Sequence, residues 1–269
     1  MTIKEKIRER VAEIEGTVGL YLYESDSGET LEWNADEPIE AASVIKLLIM
    51  ISCFQAKEEQ ILSFDESLTA KEEERVPGCG VISRLHLGLP LTIRDLVVLM
   101  IIVSDNTATN LLIDRIGIDY INHVGKCLGL TNTVLRRKMF DAELAKQGII
   151  NTVSARDMGI VLRGILEGTV VSKAASREML DILLEQQLNA KIPFYLWNNP
   201  DENDDVDVAH KTGEDDGITH DVGILLGKAP KIMCFLSCHT YPPDTVRAIQ
   251  EIARMFAYHS LTQSEATDF

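Results

Sequence analysis

The sequence predicts an α+β fold in which both chain ends build one antiparallel sheet, an α/β sandwich, around an inserted all-α subdomain. Three observations carry that expectation. Short β-prone runs occur near both termini, the long middle follows helical periodicity, and no repeat or low-complexity segment interrupts it. The 269 residues are 45% apolar and 25% charged, a globular composition, and a chain of this size buries about three quarters of its unfolded surface. We read residues 1–269 as one unit, with the α/β part over about 1–42 and 200–269 and the all-α part over about 43–199.

Element by element, Ile3, Ile7, Val11 and Ile14 recur at helical spacing in a charged opening segment. Thr17–Tyr23 and Glu29–Trp33 are β-prone and flank the turn signal Ser25-Asp26-Ser27-Gly28, so they predict a hairpin. Ala41–Phe54 is strongly apolar and reads as a buried helix. Helical patterns continue over Thr92–Val103, Asn106–Ile116, Tyr120–Leu128, Ser154–Leu166 and Ser172–Gln187. After Pro200 strand character returns. Val206–Lys211, Thr219–Leu226 and Lys231–His239 are separated by Gly- or Pro-containing turns, and Asp244–His259 closes the chain as an amphipathic helix. A cleft is expected where sheet and helical region meet.

The net charge of −16, from 26 Lys+Arg against 42 Asp+Glu, argues against nucleic acid or an anionic membrane as partner. The acidic clusters Glu72–Glu74, Asp201–Asp207 and Glu214–Asp216 match no calcium loop and read as solvated loops. Five cysteines, at 53, 79, 127, 234 and 238, fit no zinc or redox spacing. Cys234 and Cys238 fall in one strand, about 13 Å apart, and cannot bridge. Reduced, mostly buried thiols are therefore expected, as in a cytoplasmic protein. The charged N-terminus is no secretory leader, and the longest uncharged apolar stretch, Leu96–Val103, is too short to span a bilayer. The expectation is a soluble cytoplasmic monomer; a leader trimmed from the natural chain would instead place it outside the cell or at its surface. His86, His123, His210, His239 and His259 show no metal-binding spacing, so neither metal nor cofactor is expected.

Three short motifs suggest chemistry. In Ser43-Val44-Ile45-Lys46 the two polar residues share one face of a helix start. A serine hydroxyl needs a neighbouring base to act as nucleophile, and a lysine among Val44, Ile45, Leu47 and Leu48 loses its proton more readily. The plainer reading is a lysine snorkelling from an apolar helix. Ser104-Asp105-Asn106 stands between two helical segments, where a hydroxyl and an amide can face one cleft, or where all three residues simply cap a helix. Lys211-Thr212-Gly213 ends a β-run, where a cation and a hydroxyl can bind a carboxylate and a glycine lets substrate approach; it reads equally as a strand running into a turn. Together, in this order and each in a matching context, the three form a specific set.

From the second helix to the last strand the chain resembles the class A β-lactamase-like serine hydrolases, with the β-lactamase/DD-peptidase-like fold. Beyond the three motifs, Ser104-Asp105-Asn106-Thr107-Ala108-Thr109-Asn110-Leu111-Leu112, the preceding Thr92-Ile93-Arg94-Asp95-Leu96, and Ala209-His210-Lys211-Thr212-Gly213 carry the likeness. The resemblance implies that Ser43 attacks an amide, lactam or ester carbonyl while Lys46 helps remove its proton. It implies that Ser104 relays a proton to the leaving nitrogen, that Asn106 holds a substrate amide, and that Lys211 and Thr212, beside Gly213, bind a carboxylate. The backbone N–H groups of Ser43 and Glu214 would form the oxyanion hole.

Two departures stand out. Class A β-lactamases carry a Glu-x-x-Leu-Asn motif whose glutamate activates the deacylating water. The corresponding stretch here runs from Arg136 to Lys146, followed by Gly148 and Asn151, and lacks it; Asp141 or Glu143 either substitutes or is a solvated loop acid. His220 stands near the place of an arginine that helps bind the substrate carboxylate, or is a structural strand residue. The implied activity is β-lactam hydrolysis with weak deacylation. The alternatives are a cytoplasmic esterase or D-amino-acid peptidase using the same serine, and a penicillin-binding or sensory protein that acylates and stalls. Each acts on a small molecule: a β-lactam, an ester or a peptide-like substrate.

Overall fold

The computed structural model describes residues 1–197 and 206–263, so most of the acidic run Asp201–Asp207 lies outside the described residues. From the N-terminus, α1 (Ile3–Ala12) leads into β1 (Thr17–Glu24) and β2 (Thr30–Trp33), the expected hairpin. Next come β3 (Ile39–Glu40), a 3₁₀ turn over Ala42–Ile45 and α2 (Lys46–Glu58). The small pair β4 (Ser67–Thr69) and β5 (Pro90–Thr92) precedes α3 (Ile93–Ile102), α4 (Asn106–Ile116) and α5 (Ile118–Cys127). A short α6 (Ala142–Lys146) is followed by β6 (Thr152–Val153), which pairs with β3, and then by α7 (Ala155–Glu167) and α8 (Lys173–Leu184). The chain returns through β7 (Asp207–Asp215), β8 (Ile218–Leu226) and β9 (Lys231–Cys238) to α9 (Pro242–Tyr258).

Local chemistry sets the helix boundaries. Thr92 closes a capping box on α3 with Asp95, and Asp105, Ser154 and Ser172 each accept a first-turn N–H of the helix that follows. Two boundaries differ from the sequence expectation. The helix expected from Ala41 begins at Lys46, because Ala42 takes a left-handed φ of 40° and the next residues wind into a 3₁₀ turn. The strand expected to end at Lys211 runs on to Asp215 and turns at Gly217. Gly213 is therefore an in-strand residue. A Cβ there would stand 3.2 Å from the Ser43 nitrogen and from Val44 Cγ2, so glycine serves close approach and not a turn.

The antiparallel sheet has the strand order β2-β1-β9-β8-β7, so the two chain ends join through β1 and β9 into one sheet as expected, and both faces are covered. Alternation along β1 sends Leu20 and Leu22 toward α1 and α9, and Tyr21 and Tyr23 toward the helical region. On β9, Met233 and Phe235 join the first core, while Ile232, Cys234 and Leu236 join the second. Strands buried on both sides read as continuous apolar runs, which is why they were legible. The thiols correct the expectation of mostly buried cysteines. Cys53 and Cys234 are buried and Cys238 is half-buried, but Cys79 and Cys127 are exposed in loop and helix-end positions. Among the described residues no helix is long and apolar enough to cross a membrane.

Helix α7 lies against the sheet at Gly159, where a Cβ would meet the buried Tyr21 ring at 2.4 Å. Alanine at a helix interior gains up to about 1 kcal/mol over glycine, but overpacking of a filled interface costs about 1–3 kcal/mol. Gly159→Ala is expected to be destabilising, read as a lower urea midpoint with an unchanged m-value.

Candidate active site

Ser43 stands in the 3₁₀ turn between β3 and α2, half-exposed, with the fully buried Lys46 one turn later. Lys46 Nζ lies 3.0 Å from Ser43 Oγ. It also reaches the Ser104 carbonyl (2.8 Å), Ser104 Oγ (3.0 Å) and Asn106 Oδ1 (2.8 Å). An ammonium has three protons to share among these four acceptors, so the snorkelling alternative is excluded: the amine points inward.

The motif at 104–106 satisfies both of its sequence readings, at neighbouring residues. Ser104 is buried with φ 55° in the link between α3 and α4. Its hydroxyl sits between two amines, accepting from Lys46 and, at 3.1 Å, from Lys211. Asp105 is the helix cap, accepting the Ala108 N–H, and its other oxygen holds the Val81 and Ile82 N–H groups at 2.6 and 2.9 Å. Asn106 Nδ2 donates to the Pro77 carbonyl. The loop beside the cleft, including Cys79, is thereby tied to the machinery. Gly80 lies so close that a Cβ would overlap Asp105 at 2.3 Å.

Strand β7 brings Lys211 from the other side. Lys211 Nζ is buried and donates to Ser104 Oγ and to the Thr212 carbonyl, while Gly213 rests on the Ser43 amide and Glu214 lines the cleft. Ser43, Asn106 and Glu214 line one cavity of about 360 Å³, and Lys46, Ser104 and Lys211 form a hydrogen-bonded chain that reaches it through Ser43 and Asn106.

The remaining candidates do not behave as active-site groups. Asp141 reaches the cavity margin but its carboxylate caps α6 through the Leu144 N–H. Glu143 is exposed and pairs with Lys146 on the outer face of that helix. From this loop Arg137, Met139, Phe140, Asp141, Ala142 and Ala145 wall the cavity. Met139 is fixed by Asn110, which accepts its N–H at 2.8 Å and donates to its carbonyl at 3.0 Å. His220 is fully buried. Its Nδ1 accepts the Ser237 N–H and its Nε2 faces the Glu40 carbonyl at 2.8 Å. Burial, outweighing the bond to Glu40, pushes the imidazole down to about 4. It is a neutral strap between sheet and Ser43 turn, and the carboxylate-binding role is withdrawn.

Other participants are given no role by the sequence reading. Asn151 accepts the N–H groups of Arg136 and Arg137, donates to the Arg137 carbonyl, and offers its own carbonyl to Ala41, two residues before Ser43. Behind β7, Lys191 bonds the carbonyls of Gly213 and His220, and His210 meets Asp221 at 2.8 Å. Lone polar residues flanked by apolar neighbours gave no spacing to read. Among the described residues no group of three His, Cys, Asp or Glu side chains could hold a metal ion.

A family model described as the beta-lactamase enzyme family matches residues 2–261. Beta-lactamase L2 of Stenotrophomonas maltophilia is 25% identical over 182 residues, which cover 65% of this chain and 58% of that protein. Among solved structures, a beta-lactamase from Sphaerobacter thermophilus superposes with a TM-score of 0.84 at 30% identity, covering 94% of this chain and 95% of the other. PBP-A superposes equally well, with a TM-score of 0.84 at 28% identity over 95% and 94% of the two chains.

Two lysines sharing one hydroxyl repel each other. Burial first, and then the charge of Lys211, hold Lys46 well below the ordinary lysine range. Burial, reinforced by Lys191, brings Lys211 down to about 7. Between about 7 and the ordinary 10.5 the unfolded chain therefore holds more protons at residue 211, and this group favours folding increasingly as pH rises. Binding runs the opposite way, because the cation is lost. Affinity for a carboxylate-bearing substrate is expected to fall as pH rises through about 7; Lys211→Gln should bind weakly at every pH and flatten the profile.

Proposed function

Because the chain belongs to the beta-lactamase enzyme family, we propose that it is a serine hydrolase that opens β-lactam-type amide bonds through an acyl-enzyme on Ser43, with slow deacylation. The observation that carries this reading is the single amine of Lys46 within 3.0 Å of both Ser43 Oγ and Ser104 Oγ. In its neutral form that amine takes the Ser43 proton as Oγ bonds to the carbonyl carbon. The charge on the carbonyl oxygen is met by the N–H groups of Ser43 and Glu214. When the C–N bond breaks, the nitrogen takes a proton from Ser104, whose hydroxyl is resupplied by the adjacent lysines. Lys211 and Thr212 hold the carboxylate, and Asn106 orients the substrate amide. Positioned proton transfer of this kind contributes about 10²–10⁴-fold.

Release of the acyl group needs an activated water, and here the cavity wall counts against speed. Met139, Phe140 and Asp141 line the cleft, but the Asp141 carboxylate caps α6 and Glu143 pairs with Lys146. This same feature favours the second reading, a penicillin-binding protein that acylates and stalls. PBP-A, one of the similar structures, is known as a point mutant in an acyl-enzyme complex with penicillin G.

Intact-mass measurements after addition of penicillin G are expected to show a one-to-one adduct lasting far longer than a catalytic turnover, and none on Ser43→Ala. Adduct formation on Ser43→Ala would sink the assignment. Met139→Glu places a carboxylate on a backbone clamped by Asn110, and is expected to shorten adduct lifetime by at least about tenfold. Asp141→Asn and Glu143→Gln should leave it unchanged; a longer lifetime in either would return the base to the acid concerned.

A further inference from the structure

Lys191 is only 2% exposed, and no step of the reaction above uses it. Its ammonium donates to the main-chain carbonyls of His220 at 3.0 Å and Gly213 at 3.4 Å, and pairs with the Glu214 carboxylate at 2.9 Å. Gly213 and His220 are register partners across β7 and β8, so one cation holds both sides of this rung. A trans peptide points its C=O and N–H in opposite directions. The Gly213 carbonyl meets Lys191, so the N–H of Glu214, in the same peptide plane, points away from it. That N–H is the second donor of the oxyanion hole, and the glycine rests on the first: a Cβ at 213 would stand 3.2 Å from the Ser43 nitrogen.

We propose that Lys191 is a positioning residue for acyl transfer, holding and polarising the 213–214 peptide so that its N–H meets the developing oxyanion. The proposal rests on the acyl-enzyme reading of Ser43. Two physical effects act together. Hydrogen bonds in series polarise one another, and a charged donor on the carbonyl strengthens the opposite N–H. The ion pair also offsets the Glu214 carboxylate, an anion attached to the very residue whose amide must greet a second negative charge. An oxyanion donor acts only as well as it is pre-organised, and an uncompensated anion beside it opposes the transition state and not the bound ground state.

That distinction gives the test. Rapid-mixing measurements with penicillin G separate non-covalent affinity from the rate constant of Ser43 acylation. Removing a whole oxyanion donor lowers rate by about 10²–10³. Lys191→Met is therefore expected to slow acylation by about tenfold while affinity changes less than about twofold. Adding Glu214→Gln to Lys191→Met should restore most of the rate, since the uncompensated anion is gone. Glu214→Gln alone alters an exposed carboxylate, 67% accessible, and should fold even where Lys191→Met does not. It leaves the cation to the Gly213 and His220 carbonyls and is expected to acylate about threefold faster than the parent.

A purely structural Lys191 predicts otherwise: a Glu214→Gln rate equal to or below the parent's, or a Lys191→Met defect confined to affinity. Either result overturns the proposal. No adduct on the parent protein overturns the reaction assignment together with it, whereas an adduct whose rate ignores these variants overturns the role of Lys191 alone.

Discussion

Everything in this cleft is arranged around one buried amine. Among the described residues the hydrogen-bond partners of Lys46 are two hydroxyls, a carbonyl and an amide oxygen, with no carboxylate. An isolated ammonium in such a place is costly, and proteins relieve the penalty by hydrogen bonds or by deprotonation. Here both occur. The four acceptors fix where the nitrogen stands, and burial with the repulsion of Lys211 favours the neutral base. The four acceptors come from two separate pieces of chain, the turn before α2 and the start of α4 with its preceding link, while strand β7 adds the opposing charge of Lys211.

The supports of that arrangement are mostly main-chain. Ser104 holds a left-handed φ of 55°, a conformation that non-glycine residues adopt only when their surroundings over-determine it. Asp105 supplies that determination by capping α4 while gripping the loop at 81–82, and Asn106 adds a bond to Pro77. Asn151 and Asn110 do the same for the opposite wall, the first anchoring residues 136–137 to the strand before Ser43, the second fixing Met139 by both its N–H and its carbonyl. Rigid walls of this kind fix which side chains face the cavity, the thioether at 139 among them.

The parts legible in the sequence were those written in local patterns. Strands β1 and β9 announced themselves by continuous apolar runs, β8 by its apolar end Val222–Leu226, and α4 by a cap followed by Leu111–Ile113. The three motifs were legible because each is short and each keeps its order. What escaped was set by tertiary contact. The strand through Gly213 looked broken, since glycine usually ends a strand, and only the approach of Ser43 explains it. His220 seemed placed for a substrate, yet its ring is consumed by Ser237 and Glu40. Lys191 and Asn151 act through carbonyls and amides of residues far along the chain, and no spacing encodes such bonds.

Strand β7 shows how these constraints meet. It is the edge of the sheet, with β8 on one side only, and an edge strand exposes main-chain donors that invite unwanted pairing. This chain keeps the edge usable without leaving it bare. Ser43 and its turn lie against Gly213, while Glu214 and Asp215 put exposed charge at the end of the strand, a guard against another strand docking there. Those charges stand beside the peptide that the proposed reaction uses to meet a developing anion. The structure answers with cations behind the strand: Lys211 on Ser104, and Lys191 on the Gly213 carbonyl and the Glu214 carboxylate. An edge that borders the cavity and yet is guarded against other strands carries acids at its exposed end and lysines against them, and β7 has both.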